Sequence, residues 1–190
     1  PRDLTVGLDL KNVKYRQVLL DHVTGLVHLG DEKLKISDLL ARVQDGEMRL
    51  DGELDIPAAE KGKEGGVTLK ATVEKLALKP IAESFVSAKF AKQLQAVVRG
   101  AELDLRSSSL QPERIAAAAS ARLNAQFDVL SVQQVEWLDE LANGLGIDEL
   151  RTLMFNDGRV EAALENGTLA LQRMLLTGPQ VRLDSGGRAQ

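Results

Sequence analysis

The chain has 190 residues, room for one domain or two small ones and for a core of its own. Its formal charge of −4 lacks the basic footprint of a duplex nucleic-acid binder, and 3% aromatic residues leave few of the stacking platforms a single-strand binder uses. It has no cysteine, which excludes disulfides, thiolate metal sites and thiol nucleophiles, and no apolar run approaches the roughly 18 residues of a membrane-spanning helix.

Alternation dominates the chain from its start. Leu4, Val6, Leu8 and Leu10 are apolar at period two, with Thr5, Gly7 and Asp9 between them. Met48, Leu50, Leu54 and Ile56 repeat the pattern, opposed by Glu47, Arg49, Asp51, Glu53 and Asp55. Val67, Leu69, Ala71 and Val73 follow, then Ala101, Leu103 and Leu105. Near the end come Val160, Ala162 and Leu164, then Leu169 and Leu171, then Val181 and Leu183. Period two puts each apolar set on one face of a sheet and the charges on the other, as in antiparallel strands with one wetted face. Asp45-Gly46, Asp157-Gly158 and Asn166-Gly167 separate such runs and predict tight hairpin turns. Asp51-Gly52 falls inside an alternating run, so a bulge or a plain strand glycine is expected there. The charged, glycine-rich segment 57–66 predicts a mobile loop between two strands.

Two stretches change period. From Pro80 to about Val98, Ile81, Phe85, Val86, Phe90, Leu94 and Val97 recur at helical spacing, with Pro80 suited to the first turn and Gly100 just beyond the end. From Ser131 to about Asn143, Val132, Val135, Leu138 and Leu141 share a face, Ser131 with Gln134 spells a capping box, and Gly144 ends the run. Residues 112–130 carry an alanine run of high helix propensity, yet Ala119, Ala121, Leu123, Ala125, Phe127 and Val129 alternate, so a strand is expected over about 118–130. The fold class that follows is mainly β with two helices (α+β): an antiparallel meander with helices packed on part of it. Two helices cover only part of such a sheet. Either the sheet folds over on itself, or an apolar surface stays open as a groove.

Motifs for chemistry are sparse. His22 and His28 could share a strand face, with Asp21 and Asp31 nearby in sequence, but no clear third metal ligand accompanies them. Gly144-Leu145-Gly146 lacks the third glycine of a dinucleotide loop, and there is no Gly-x-Ser-x-Gly elbow. Glu47, Asp51, Glu53 and Asp55 resemble acid–base pairs only in number; alternating with Met and Leu they read as a solvated face. Asn166-Gly167-Thr168 matches a glycosylation acceptor, but a hairpin explains it equally. Neither a catalytic residue nor a metal or cofactor site emerges.

Three segments carry a family likeness. They are the strand ladder at 8–56, the strand leading into Pro80 at 67–85 (VTLKATVEKLALKPIAESF), and the glycine-punctuated strands at 155–187 (FNDGRVEAALENGTLALQRMLLTGPQVRLDSGG). Together they resemble the AsmA-like family, the AsmA/TamB-related periplasmic envelope proteins of Gram-negative bacteria. The resemblance covers most of the chain. It implies a single β-rich domain over 1–190, of the C-terminal type, and a non-enzymatic role in phospholipid movement or outer-membrane assembly. It further implies a periplasmic location, with an inner-membrane anchor in a segment absent from this chain. The start at Pro1 fits a fragment of a longer protein. Phospholipid acyl chains and envelope proteins are the implied partners, and nucleic acid is not. Leu50, Leu54, Leu103, Leu105, Leu169 and Leu171 are the candidate residues of the lipid-binding face; burial in a closed core would explain them equally. The alternative reading is a structural module that binds partner proteins through a sheet edge.

Overall fold

The computed structural model describes residues 3–16, 18–43, 45–56, 65–80, 83, 93–111, 114, 117–179 and 181–189. Alternation becomes sheet almost everywhere it occurs. The first six strands are β1 (Leu4–Tyr15), β2 (Val18–Leu29), β3 (Lys33–Val43), β4 (Gly46–Asp55), β5 (Val67–Ala77) and β6 (Leu94–Ser107). After them come β7 (Ala119–Gln133), β8 (Thr152–Phe155), β9 (Asp157–Glu165), β10 (Thr168–Thr177) and β11 (Arg182–Ala189). All join one antiparallel sheet in chain order, with β8 beside the far end of β7. Among the described residues β1 and β11 do not pair with each other, so the strands form a single open sheet and not a closed barrel. The meander is therefore present, and of the two alternatives for the sheet the open one is realised.

The ladder is not uniform. Asn12, Asp38 and Lys75 adopt left-handed backbone angles, with φ of 54°, 51° and 51°. At Asp38 the register of β3 slips against both β2 and β4, which marks a bulge. The Asp38 N–H leaves the ladder and donates to the Asp51 carboxylate at 2.9 Å. Gly52 is thus a regular strand residue paired with Ile36, beside the bulge rather than in it. The slip has a packing effect. Leu34 and Ile36 before it, and Leu39, Ala41 and Val43 after it, all remain on the apolar face although the alternation breaks between them.

Turn chemistry explains some connections and corrects others. Asn166 (φ 51°) and Gly167 (φ 75°) form the expected two-residue hairpin between β9 and β10. Asp45 precedes β4 as a turn, but Gly46 is its first strand residue; a Cβ there would lie 2.6 Å from the Lys75 carbonyl oxygen, so glycine permits close strand packing. Asp157-Gly158 is not a hairpin. Both residues open β9, and β8 and β9 run in the same direction along β7, separated by Asn156. Gly158 faces Phe127, and a Cβ on it would fall 2.8 Å from Leu176 Cδ2.

The helix expectations change most. A ten-residue α-helix, α1 (Glu136–Leu145), is followed by a 3-10 turn at Asp148–Arg151, and around the helix expected from Pro80 the described residues Lys79, Pro80, Glu83 and Gln93 are helical as well. Ser131 does not cap α1. β7 runs through to Gln133, with Ser131 paired to Gln95 on one side and Met154 on the other, so sheet pairing overrides the capping box. The N-cap position is Val135, without a side-chain cap, and Gly144 lies inside the helix. The chain leaves at Gly146 (φ 68°), and the Ile147 N–H donates to the Ala142 carbonyl at 3.0 Å. Of the helix expected over 80–98, residues 81–82 and 84–92 lie outside the described residues; its last positions, from Leu94 on, belong to β6. Residues 57–64 of the expected loop also lie outside them.

The core sits at one end of the sheet. Val18, Val43, Leu76 and Val98 cluster there, backed by Leu20, Val73, Leu78, Ala101 and Phe127. Leu138 and Ala142 of α1 and Phe155 of β8 are each 1% exposed. The central and far parts of the sheet have no comparable buried cluster among the described residues.

Candidate functional site

Register converts the separate alternations into one surface. One row crosses the sheet as Leu4, Leu29, Leu34, Leu54 and Val67. The next runs through Val6, Val27, Ile36, Gly52, Leu69, Leu105, Ala121, Leu164 and Leu169. A third holds Leu39, Leu50, Ala71, Leu103, Leu123, Ala162 and Leu171. The last, nearest the core, contains Leu10, Val23, Ala41, Met48, Val73, Ala101, Ala125, Val160 and Met174. No charged residue interrupts these rows.

All six leucines nominated from the sequence stand on this face. Leu54 lies in the first row, Leu105 and Leu169 in the second, and Leu50, Leu103 and Leu171 in the third. Leu169 is 53% exposed and the other five are half-buried by their neighbours. Exposure rises toward the edges, to 56% at Leu4. None of the six is fully buried.

The face is large. Strands about 4.8 Å apart make the nine strand positions from β1 to β10 that carry these rows span about 38 Å, and three double steps along a strand add roughly 20 Å. Its outline is on the order of 800 Å², above the roughly 300–600 Å² of the largest apolar patch on an ordinary monomer.

The opposite face is ionic. Lys33 is held between Glu53 and Asp55, which raise its pKa, with Glu53 the stronger cause. Arg49 meets Glu47 at 2.9 Å, and Arg159 meets Glu161 at 2.9 Å. Arg99 bridges Asp128 and Asp157. Three recesses of about 290–320 Å³ lie on this side, sharing Glu102, Asp104, Arg122 and Asn124 in pairs. The carboxylates Glu47, Asp51, Glu53 and Asp55 thus serve ion pairs and the bulge cap.

The histidines do not converge. His22 Nε2 lies 2.7 Å from Asp9 Oδ1, and this hydrogen bond holds the Asp9 carboxyl below its usual pKa. His28 Nδ1 shares a 2.9 Å hydrogen bond with the Thr5 hydroxyl. Six residues of strand separate the two rings by about 20 Å, too far to share an ion. Among the described residues, no group of three or more His, Asp or Glu is placed to hold a metal.

Sequence reasoning found the leucines but missed their companions. Val27, Ile36 and Leu39 complete the rows, yet the bulge in β3 hides their common face from a period-two reading. Compared with known proteins, the chain matches no family model, no curated protein and no solved structure.

Proposed function

We propose that this chain is a non-enzymatic envelope module that holds lipid acyl chains against the apolar face of its sheet. The observation that carries the reading is the continuous set of apolar rows around Leu50, Leu103, Leu105 and Leu171, over which no second sheet lies among the described residues. Each methylene taken from water is worth about 0.8 kcal/mol. One tail spans about 15 Å of a bilayer leaflet, so a face about 20 Å by 38 Å accommodates it along or across the strands. Lipid removes the exposed face from water without a second protein layer.

The sequence resemblance to AsmA-like proteins supports the same reading and supplies its context. The module would work in the periplasm, tethered to the inner membrane by a segment outside this chain. There it would serve phospholipid movement or outer-membrane assembly.

The test is quantitative lipid extraction from the purified chain, read by mass spectrometry beside a closed-core protein prepared in parallel. Near-stoichiometric phospholipid is expected. Its loss is expected when Leu50, Leu105 or Leu171 is made charged and circular dichroism shows the fold intact. A folded chain that carries no more lipid than the control overturns the proposal.

A further inference from the structure

The edge strand β1 carries an independent observation. One side of β1 pairs with β2, and among the described residues nothing pairs with the other. Proteins usually guard such an edge with proline, a bulge or an inward-pointing charge. From Leu4 to Lys11 β1 has no proline and no bulge, and its charges, Asp9 and Lys11, stand on the ionic face; Asn12, with φ 54°, is its first irregular residue. Leu4, Val6 and Leu10 are 56%, 43% and 46% exposed.

The side chains of this segment are self-complementary about Gly7. A two-fold axis normal to the sheet at Gly7 brings β1 of a second copy alongside, antiparallel and with the same face up. Leu4 then stands opposite Leu10 of the second copy, and Val6 opposite Leu8, all on the apolar face. On the ionic face Asp3 stands opposite Lys11, and Thr5 opposite Asp9. Lys11 lies near Asp9 of its own strand and helps to lower the pKa of that carboxyl. Other registers are worse. Slipping by two residues one way sets Asp3 against Asp9; the other way sets Leu4 against Asn12. Like charges directly opposed across strands destabilise a pair.

We propose that the chain forms a two-fold dimer through β1 against β1, centred on Gly7, which continues the antiparallel sheet and joins two apolar faces into one. The occupant of the edge is a second copy, because the charge and apolar order of β1 reads as its own complement. The lipid reading is not a premise of this inference.

The test uses the lack of native cysteine. Opposed Cα atoms in an antiparallel pair are about 4.5–5.5 Å apart, inside the range a disulfide spans. Gly7→Cys has space, since a Cβ there meets only Leu26 Cδ2 at 4.0 Å. Under mild oxidation Gly7→Cys is expected to cross-link rapidly into a dimer. Thr72→Cys, on the ionic side of β5 in mid-sheet, should not. Sedimentation of the wild-type chain should show a concentration-dependent dimer. Lys11→Glu should weaken it about tenfold, because every substitution acts twice at a two-fold interface. Adding Asp3→Lys should restore it, and this charge swap decides the matter if Gly7→Cys does not fold. A wild-type chain that stays monomeric overturns the proposal. So does a dimer in which Gly7→Cys cross-links no faster than Thr72→Cys, or one indifferent to the charge swap.

Discussion

Replacing Leu103 by glutamate puts a charge in the middle of the proposed lipid face. Leu103 is half-buried on β6, between Ala71 of β5 and Leu123 of β7, and Leu123 is 38% exposed. In the free protein the new carboxylate reaches water over an uncovered surface. The fold should therefore lose only part of one leucine's burial, about 1 kcal/mol. In the lipid complex the same carboxylate lies under a hydrocarbon chain. Two or three methylenes lose a half-contact worth about 1 kcal/mol in total, and desolvating the charge adds a further cost. A combined penalty of about 2–3 kcal/mol weakens binding roughly 30- to 150-fold. Titration with a fluorescent fatty acid, alongside extracted-lipid mass spectrometry, measures this directly. Glu102→Ala, on the opposite side of the same strand, is the matched control and should bind as wild type does. If Leu103→Glu and Glu102→Ala both fold and bind with equal affinity, hydrocarbon does not lie on this face.

Other expectations concern the frame. Leu138→Ala removes the most buried leucine of α1, 1% exposed, and should cost about 2–5 kcal/mol in urea unfolding while leaving the strand signal in place. Gly46→Ala drives a Cβ to 2.6 Å from the Lys75 carbonyl oxygen, so β4 and β5 must part, and a loss of about 1–3 kcal/mol is expected by the same assay. The Asp9 carboxyl is depressed by its hydrogen bond to His22. A depressed carboxyl contributes stability that is present above its unfolded value near 3.8 and lost as pH falls through the folded value. Wild type and Asp9→Asn should thus differ in urea midpoint at pH 6, and the difference should shrink as pH falls below 3.8; a constant difference would contradict the assignment.

Much of the fold was written in local pattern. Strands such as β4 and β5 are long period-two runs whose hydrogen bonds and burial agree with the alternation, so no tertiary information was needed to see them. Residues 119–133 show period outweighing propensity, because the alanines of β7 lie in a sheet between β6 and β9. The failures arose where a local signal had a long-range competitor. Ser131 and Gln134 carry the spelling of a helix cap, yet Ser131 is claimed by Gln95 and Met154 on either side. Asp157-Gly158 carries the spelling of a hairpin, yet β7 is long enough to pair with β8 and β9 end to end, so the chain need not reverse there.

The candidate face was legible strand by strand but not as a surface. Alternation places Leu50 and Leu54 together, and Leu103 and Leu105 together. It says nothing about whether the two pairs share a side of the sheet. That depends on register, and register depends on bulges that composition does not announce. The slip at Asp38 is the instructive case. Without it, strict alternation from Leu34 and Ile36 would turn Leu39 and Ala41 to the ionic side and leave Asp38 and Leu40 in the apolar rows. The bulge reverses this, and Asp51 accepts the N–H that the bulge sets free. An acidic residue that looked like surface decoration therefore satisfies the backbone N–H of the bulge that keeps the apolar rows in register.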